Sequence, residues 1–134
     1  MKKLLIIFLF SAPVFAMAQD NLIGKTRAEV KAYFKKAKIP LYLSDADDGK
    51  PSDEFRIADD QYTCLYDKKG ICNQELADIA YTKYAAMKAN LKKDWDKIDD
   101  NTWGNKTKTV KVQLVVQPAL NILSIEYVAY DMTP

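Results

Sequence analysis

Two cysteines are the residues of this sequence whose chemistry is easiest to specify. Cys64 and Cys72 lie eight positions apart and are the only cysteines in the chain. In an oxidising compartment such a pair can form a disulfide bond, and otherwise cysteine behaves as a small buried hydrophobic residue. A low thiol pKa is typical of a Cys-x-x-Cys motif at a helix start, and this spacing does not fit that motif. The pair is therefore a candidate disulfide or two buried thiols, and redox catalysis is not expected.

Other catalytic groups are sparse. The chain has no histidine, which removes the commonest general base and the commonest metal ligand. After position 18 the serines are Ser44, Ser52 and Ser124, and none lies in a nucleophile-elbow or Ser-x-x-Lys context. Carboxylates are numerous, but no spacing distinguishes one pair for acid–base work. We expect a non-catalytic protein that carries no cofactor.

One acidic stretch is similar to the start of a calcium-binding loop. Residues 45–49 read Asp-Ala-Asp-Asp-Gly. The calcium loop has glycine at its sixth position and a bidentate glutamate at its twelfth. Here the glycine is fifth and Arg56 is twelfth. We expect a solvated acidic loop rather than a metal site.

Aromatic residues offer a different kind of chemistry, recognition of a partner. Tyrosine and tryptophan are favoured in binding surfaces because they supply contact area with few rotatable bonds. Trp103 lies in a polar segment just before Gly104, and Tyr42 lies in a short apolar run. These two are the candidate exposed contacts. The alternative for each is an aromatic ring folded back over the core.

Two amphipathic helices are expected to position these residues. Residues 26–29, Thr-Arg-Ala-Glu, form a capping box that predicts a helix start, and Pro40 ends that helix. Its apolar stripe repeats at helical spacing and consists of Val30, Tyr33, Phe34 and Ala37. The second stripe consists of Tyr84, Met87, Leu91, Trp95 and Ile98.

Between the helices the pattern predicts a short strand at 41–43, a polar loop at 44–54 and then a meander. Turns at 58–61 and 67–70 would place Ile57 opposite Tyr62 and Tyr66 opposite Cys72. This register gives one apolar face of Phe55, Ile57, Tyr62, Cys64, Tyr66 and Cys72. The strand after Cys72 is expected to continue to about Ala77.

After the second helix, 101–105 is expected to be an exit loop and the last segment a hairpin. A type I turn at 117–120 would pair Leu114 with Leu123 and set Lys111 opposite Glu126. The same register pairs Val112 with Ile125 and Val110 with Tyr127. The predicted fold is α+β: an antiparallel sheet in the order α-β-β-β-β-α-β-β, with two amphipathic helices packed on one face.

The amino terminus predicts export. Residues 1–18 combine two lysines, an apolar run and a small-x-small end at Ala16 and Ala18, which is the pattern of a cleaved signal peptide. One α+β domain, 19–134, would then remain, with no membrane span after cleavage. The chain has 20 basic and 18 acidic residues, and Lys2 and Lys3 leave with the signal, so 18 of each remain. A neutral exported domain is not expected to bind nucleic acid, which requires phosphate neutralisation.

Two resemblances agree with export. Residues 23–30, Ile-Gly-Lys-Thr-Arg-Ala-Glu-Val, resemble the helix opening of the beta-lactamase-inhibitor-like domains and of the SmpA/OmlA-type envelope lipoproteins. Those modules place two helices before their strands, and the lipid-bearing cysteine of the lipoproteins is missing here. Residues 64–72, followed by a helix and 101–103, look like small uncharacterised exported proteins of Gram-negative bacteria. That family implies export and contributes no activity.

The functional expectation is a periplasmic or secreted module that presents a sheet face or loops to an envelope or extracellular protein. The absence of catalytic residues and a core large enough to fold alone favour this reading. The alternative is a small ligand or lipid carrier, or a hydrolase, with a cavity between helices and sheet.

Overall fold

The computed structural model of the protein describes residues 21–46 and 49–130. The expected signal peptide, 1–18, lies outside these residues. The predicted order α-β-β-β-β-α-β-β is confirmed, and two further short strands follow the second helix. No helix in the described ranges has the length and apolar character needed to cross a membrane. The elements are α1 (Arg27–Lys36), β1 (Leu41–Ser44), β2 (Ser52–Ile57), β3 (Asp60–Tyr66), β4 (Cys72–Ala80), α2 (Tyr84–Asp94), β5 (Trp95–Asp99), β6 (Thr102–Asn105), β7 (Val110–Gln117) and β8 (Ile122–Ala129).

The eight strands of the described residues form one antiparallel sheet in the spatial order β1-β2-β3-β4-β8-β7-β6-β5. The chain therefore builds one half of the sheet from β1 to β4 and the other half from β5 to β8. Strands β4 and β8 join the two halves over seven paired residues, from Gln74–Val128 to Ala80–Ile122. Strands β1 and β5 are left as the two edges of the sheet.

The first helix starts where its sequence predicts. The Thr26 hydroxyl accepts the Glu29 amide, and the Glu29 carboxylate accepts the Thr26 amide, which is the reciprocal capping box. Phe34 is buried and its ring stacks on Phe55 of β2, with ring centroids 4.0 Å apart. Helix α1 therefore lies against the face of the sheet that carries Phe55, here called the inner face.

The predicted apolar face of the meander is confirmed except at its end. Tyr66 is opposite Cys72, as expected. Phe55, however, pairs with Tyr62, so the first hairpin is shifted by two residues from the predicted register. A tight turn causes the shift, because Ala58 adopts a positive φ of 50° and β3 begins at Asp60. Ile57 then falls at the end of β2, where it is exposed rather than buried.

The carboxy-terminal hairpin has the same kind of shift. Leu114 pairs with Ile125 rather than with Leu123, and Lys111 is opposite Val128 rather than Glu126. The predicted turn was too early, since the connection is a short 3-10 turn that ends at Asn121, a residue in the left-handed conformation. A two-residue shift leaves every side chain on its predicted face, because side chains alternate with a period of two.

The stretch from Trp95 to Asn105 differs most from prediction. The second helix ends at Asp94 instead of continuing through Trp95 to Ile98, and a hairpin of β5 and β6 replaces the expected exit loop. An extended backbone at Trp95 lets its buried ring reach Tyr127 on the sheet, with centroids 6.1 Å apart. The main core cluster includes buried side chains from both helices and from the sheet. Packing of α2 on the same face as α1 stays a prediction.

Candidate functional site

The two candidate exposed contacts lie in opposite environments. Tyr42 lies on edge strand β1 and is 58% exposed. Trp103 is 1% exposed and lies on β6 opposite Val112. The predicted exposure of Trp103 is wrong. It assumed a loop at 101–105, whereas the β5–β6 hairpin places the indole in the core. Of the two, Tyr42 alone is available to a partner.

Tyr42 belongs to a group of exposed apolar side chains at one edge of the sheet. Its neighbours Leu41 and Leu43 are 48% and 46% exposed, and Ile57 at the end of β2 is 42% exposed. Together with Arg56 these residues are here called the β1 patch. The remaining large exposed apolar residues in the described ranges lie on separate elements, and they are Ile98, Val115 and Leu120. Exposed apolar residues grouped on two paired strands mark an interaction surface more often than scattered single residues do.

An aromatic–cationic stack lies within the patch. The Arg56 guanidinium carbon is 3.8 Å from the centroid of the Tyr42 ring. Arg56 Nε is also 2.9 Å from Glu54 Oε2, and the Gln61 amide donates to Glu54 Oε1. These contacts bring Arg56, Tyr42 and Glu54 together on the surface of the sheet edge. Tyrosine and arginine are residue types enriched among the dominant contacts of protein interfaces.

A buried carboxylate anchors the other end of β1. Asp53 is fully buried on β2, and its oxygens accept hydrogen bonds from Ser44 Oγ (2.7 Å), from Tyr66 OH (2.9 Å) and from Arg27 Nε and Nη2 (3.0 and 2.8 Å). Burial alone would raise the pKa of Asp53, but these donors outweigh it and lower the pKa. The network ties α1, β1 and β3 to β2. Because both carboxylate oxygens are occupied, Asp53 is suited to structure rather than to catalysis.

A second buried carboxyl lies at the centre of the inner face. Glu75 on β4 is fully buried and is paired with Cys64 on β3 and Tyr127 on β8. Its Oε1 accepts the Leu22 amide at 3.0 Å, and its Oε2 has no hydrogen-bond partner among the described residues. Burial raises the pKa of Glu75 to about 7, against the smaller opposing effect of the Leu22 hydrogen bond. Sequence reasoning missed this group, since one glutamate at an inward strand position has no distinguishing motif.

The two cysteines are brought together by the β3–β4 pairing. Both are buried, and the structure shows no bond between them. Two main effects raise the pKa of the Cys64 thiol well above its ordinary value. The larger is a hydrogen bond with Cys72, and the second is burial. A raised thiol pKa suppresses the reactive thiolate. The environment therefore suits a structural pair, and the disulfide stays a prediction.

Metal-ligating groups do not converge in the part of the chain that the structure describes. Within 21–46 and 49–130, no group of three or more His, Cys, Asp or Glu residues is placed to hold a metal ion. Asp45, the first residue of the acidic stretch, accepts hydrogen bonds from Arg27 and from the Ser52 amide. Asp47 and Asp48 lie outside the described residues.

Two of the surface cavities in the described part of the chain lie near these features. One of about 330 Å³ lies between residues 21–25 and α1, and its lining includes Lys25, Tyr33 and Lys36. The other, of about 260 Å³, lies at the β5 end of the sheet beside Ile98 and Lys111. Each is lined partly by exposed residues, whereas the region between the helices and the sheet holds the buried side chains of the core cluster.

The geometry thus offers one exposed patch with an aromatic–cationic stack, a fully hydrogen-bonded buried carboxylate at Asp53, and a buried carboxyl at Glu75 of which one oxygen is bonded. Comparison with protein-family models, with curated proteins and with solved structures finds no match to this chain. The function of the protein is therefore inferred from the geometry.

Proposed function

We propose that this protein is an exported, non-catalytic module that binds an envelope or extracellular protein through the β1 patch. The observation that carries the proposal is the patch itself: Leu41, Tyr42, Leu43 and Ile57 are each more than 40% exposed and lie on two adjacent strands. Burying such side chains against a partner removes apolar area from water, at about 25 cal/mol per Å².

The stacked pair explains how a small patch could be specific. The Arg56 side chain is already ordered by Tyr42 and Glu54. A partner therefore bears less of the entropic cost of ordering a long cationic side chain, which is about 0.5–1.5 kcal/mol at an interface. The alternative role, as a ligand carrier or hydrolase, has less support because buried side chains occupy the space between the helices and the sheet.

Export is the second part of the proposal. Residues 1–18 have the composition of a signal peptide, and the charge that remains after cleavage is zero. The proposed location is the periplasm or the extracellular medium. Intact-mass measurement of the native product tests this part, with a mature chain beginning at Gln19 as the expected result and a retained Met1 as the contradicting one.

Patch-dependent capture tests the binding. Immobilised mature protein would be incubated with envelope extract and with culture medium of the producing cells, and bound proteins quantified by mass spectrometry. Because central aromatic and arginine contacts cost about 2 kcal/mol or more when truncated, the double variant Tyr42→Ala/Arg56→Ala should reduce capture of the true partner by at least about tenfold.

The matched control is Leu120→Ala, which removes a side chain that is more exposed and lies in the β7–β8 connection. This variant should capture the partner as the unaltered protein does. Equal recovery of every protein by the patch variant and the control would contradict the proposal.

A further inference from the structure

The free edge of β1 has an unusual spacing of hydrogen-bonding groups. In an antiparallel pair, residues alternate between bonding to the neighbouring strand and directing both N–H and C=O away from it. The Arg56 amide donates to the Pro40 carbonyl, and the Asp45 amide donates to the Ser52 carbonyl. Pro40 and Asp45 therefore bond to β2. The residues adjacent to them within the strand are Leu41, opposite Phe55, and Ser44, opposite Asp53, and by this alternation they direct their N–H and C=O groups to the open edge.

A bulge separates these two outward-facing residues. The pairing shifts between Leu41 and Leu43, and Tyr42 is the extra residue. The outward groups are therefore three positions apart rather than two. With a rise of about 3.3 Å per residue, a regular partner strand that matches Leu41 would be out of step at Ser44 by up to about one residue. The bulge thus protects the edge against ordinary strands, as bulged edges generally do.

A second copy of the same strand does not have this mismatch. Across a two-fold axis, β1 meets an antiparallel β1 whose outward residues have the same three-position spacing. Leu41 then pairs with Ser44 of the second copy, and Ser44 pairs with its Leu41, so both ends of the contact are satisfied at once. Such an isologous contact is the usual form of a homodimer interface.

We infer that the β1 patch binds a second copy of this chain, forming a two-fold dimer through antiparallel β1–β1 pairing. This inference rests on the proposed function and names the partner of the same surface. In this register Tyr42 faces Leu43 of the second copy, so both exposed side chains are covered.

Charge along the strand favours the same orientation. Lys38 precedes β1, and Asp45, which is half-exposed and pairs with Arg27 at 3.0 Å, follows it. An antiparallel contact places Lys38 of one copy near Asp45 of the other, whereas a parallel contact would place the two Lys38 side chains together. The opposite edge of the sheet is different, because β5 begins at the buried Trp95 and then carries the exposed charged residues Asp96, Lys97 and Asp99. Charged side chains on an edge strand are a recognised defence against edge pairing.

The contact is small, so the dimer should be weak. A four-residue strand and Ile57 form a small contact beside the 1,200–2,000 Å² that stable interfaces bury. Association should therefore become visible between about 10 µM and about 1 mM protein, which is the range of weak interfaces. Sedimentation equilibrium of the mature protein over that range measures it.

Two lysine substitutions separate the two edges. Leu43→Lys places two cationic side chains beside the two-fold axis and should raise the dissociation constant of the dimer by at least about tenfold. The matched control is Ile98→Lys on β5, where the replaced side chain has similar exposure. It should leave the dimer unchanged. In the unaltered protein, amide proton shifts of Leu41 and Ser44 should move with concentration, because those two amides gain hydrogen bonds.

A dimer that weakens only with Leu43→Lys, together with concentration-dependent shifts at Leu41 and Ser44, supports the inference. A dimer that withstands Leu43→Lys, or one that Ile98→Lys weakens equally, overturns it. A chain that stays monomeric to 1 mM also overturns it. The proposed function survives that last result if the Tyr42→Ala/Arg56→Ala variant still loses capture of another protein, so the two failures are distinguishable.

Discussion

The buried carboxyl of Glu75 predicts a contribution to stability that is present in mild acid and lost in neutral and alkaline solution. The side chain is fully buried, one oxygen accepts the Leu22 amide and the other has no partner among the described residues. Burial raises its pKa from the ordinary 4.5 to about 7. The folded state thus holds this proton more tightly than the unfolded chain does. The stability contributed by the neutral carboxyl is complete below pH 4.5 and is lost as the pH rises to 7.

The magnitude follows from the shift. A difference of one pKa unit corresponds to 1.36 kcal/mol, so the shift at Glu75 corresponds to about 3 kcal/mol of unfolding free energy lost between pH 4.5 and pH 7. That is a large fraction of the 5–15 kcal/mol that is typical of a domain. Glu75→Gln keeps an acceptor for the Leu22 amide and does not ionise. The variant should match the unaltered protein at pH 4.5 and exceed its stability by about 3 kcal/mol at pH 8.

Urea denaturation at pH 4.5, 6 and 8 measures this difference. Trp95 and Trp103 are both buried, so tryptophan fluorescence reports unfolding. Glu126→Gln on neighbouring strand β8 controls for the loss of one negative charge. A stability difference between Glu75→Gln and the unaltered protein that is the same at all three pH values would refute the assignment.

Three further predictions concern the buried groups. Asp53→Ala should cost about 3 kcal/mol at pH 7, because Arg27 Nε and the hydroxyls of Ser44 and Tyr66 lose their acceptor; a loss under about 1 kcal/mol in urea denaturation would contradict the network. Trp103→Ala should cost about 4 kcal/mol by the same assay, whereas a surface indole would cost almost nothing. In reduced, folded protein, Cys64 and Cys72 should react with a maleimide at least about 100-fold more slowly than after unfolding, and equal rates measured by mass spectrometry would contradict their burial.

Side-chain alternation explains what could be predicted from the sequence. The inward positions Phe55, Tyr62 and Ile125 were predicted correctly even though both hairpins are shifted by two residues. A hydrophobic pattern with a period of two fits equally well before and after such a shift. The register depends on turn length, and the turns at Ala58 and Asn121 use left-handed residues that are not glycine. The predicted turn of the first hairpin is longer than the observed one, and that of the second hairpin is earlier. Only an uncommon backbone conformation distinguishes the observed turns from these predictions.

Long-range contacts explain what could not be predicted. Asp53 falls in the predicted polar loop, because its burial depends on Arg27, which lies 26 positions earlier in the chain. Trp95 falls in a predicted helical stripe, whereas its ring packs near Tyr127, far along the chain. Exposure at Tyr42 was anticipated, but its stack on Arg56 was not, because only the β1–β2 pairing brings the two side chains together.

Site-specific photo-crosslinking tests the central claim, that the β1 patch contacts a protein partner, most directly. A photoreactive phenylalanine analogue would replace Tyr42 in one strain and Leu120, the exposed control, in another, and living cells would be irradiated. A covalent protein adduct formed from position 42 and not from position 120 is the predicted result; its mass, about double that of the chain for a second copy, identifies the partner. Adducts that are absent from both positions, or equally abundant at both, would contradict the claim.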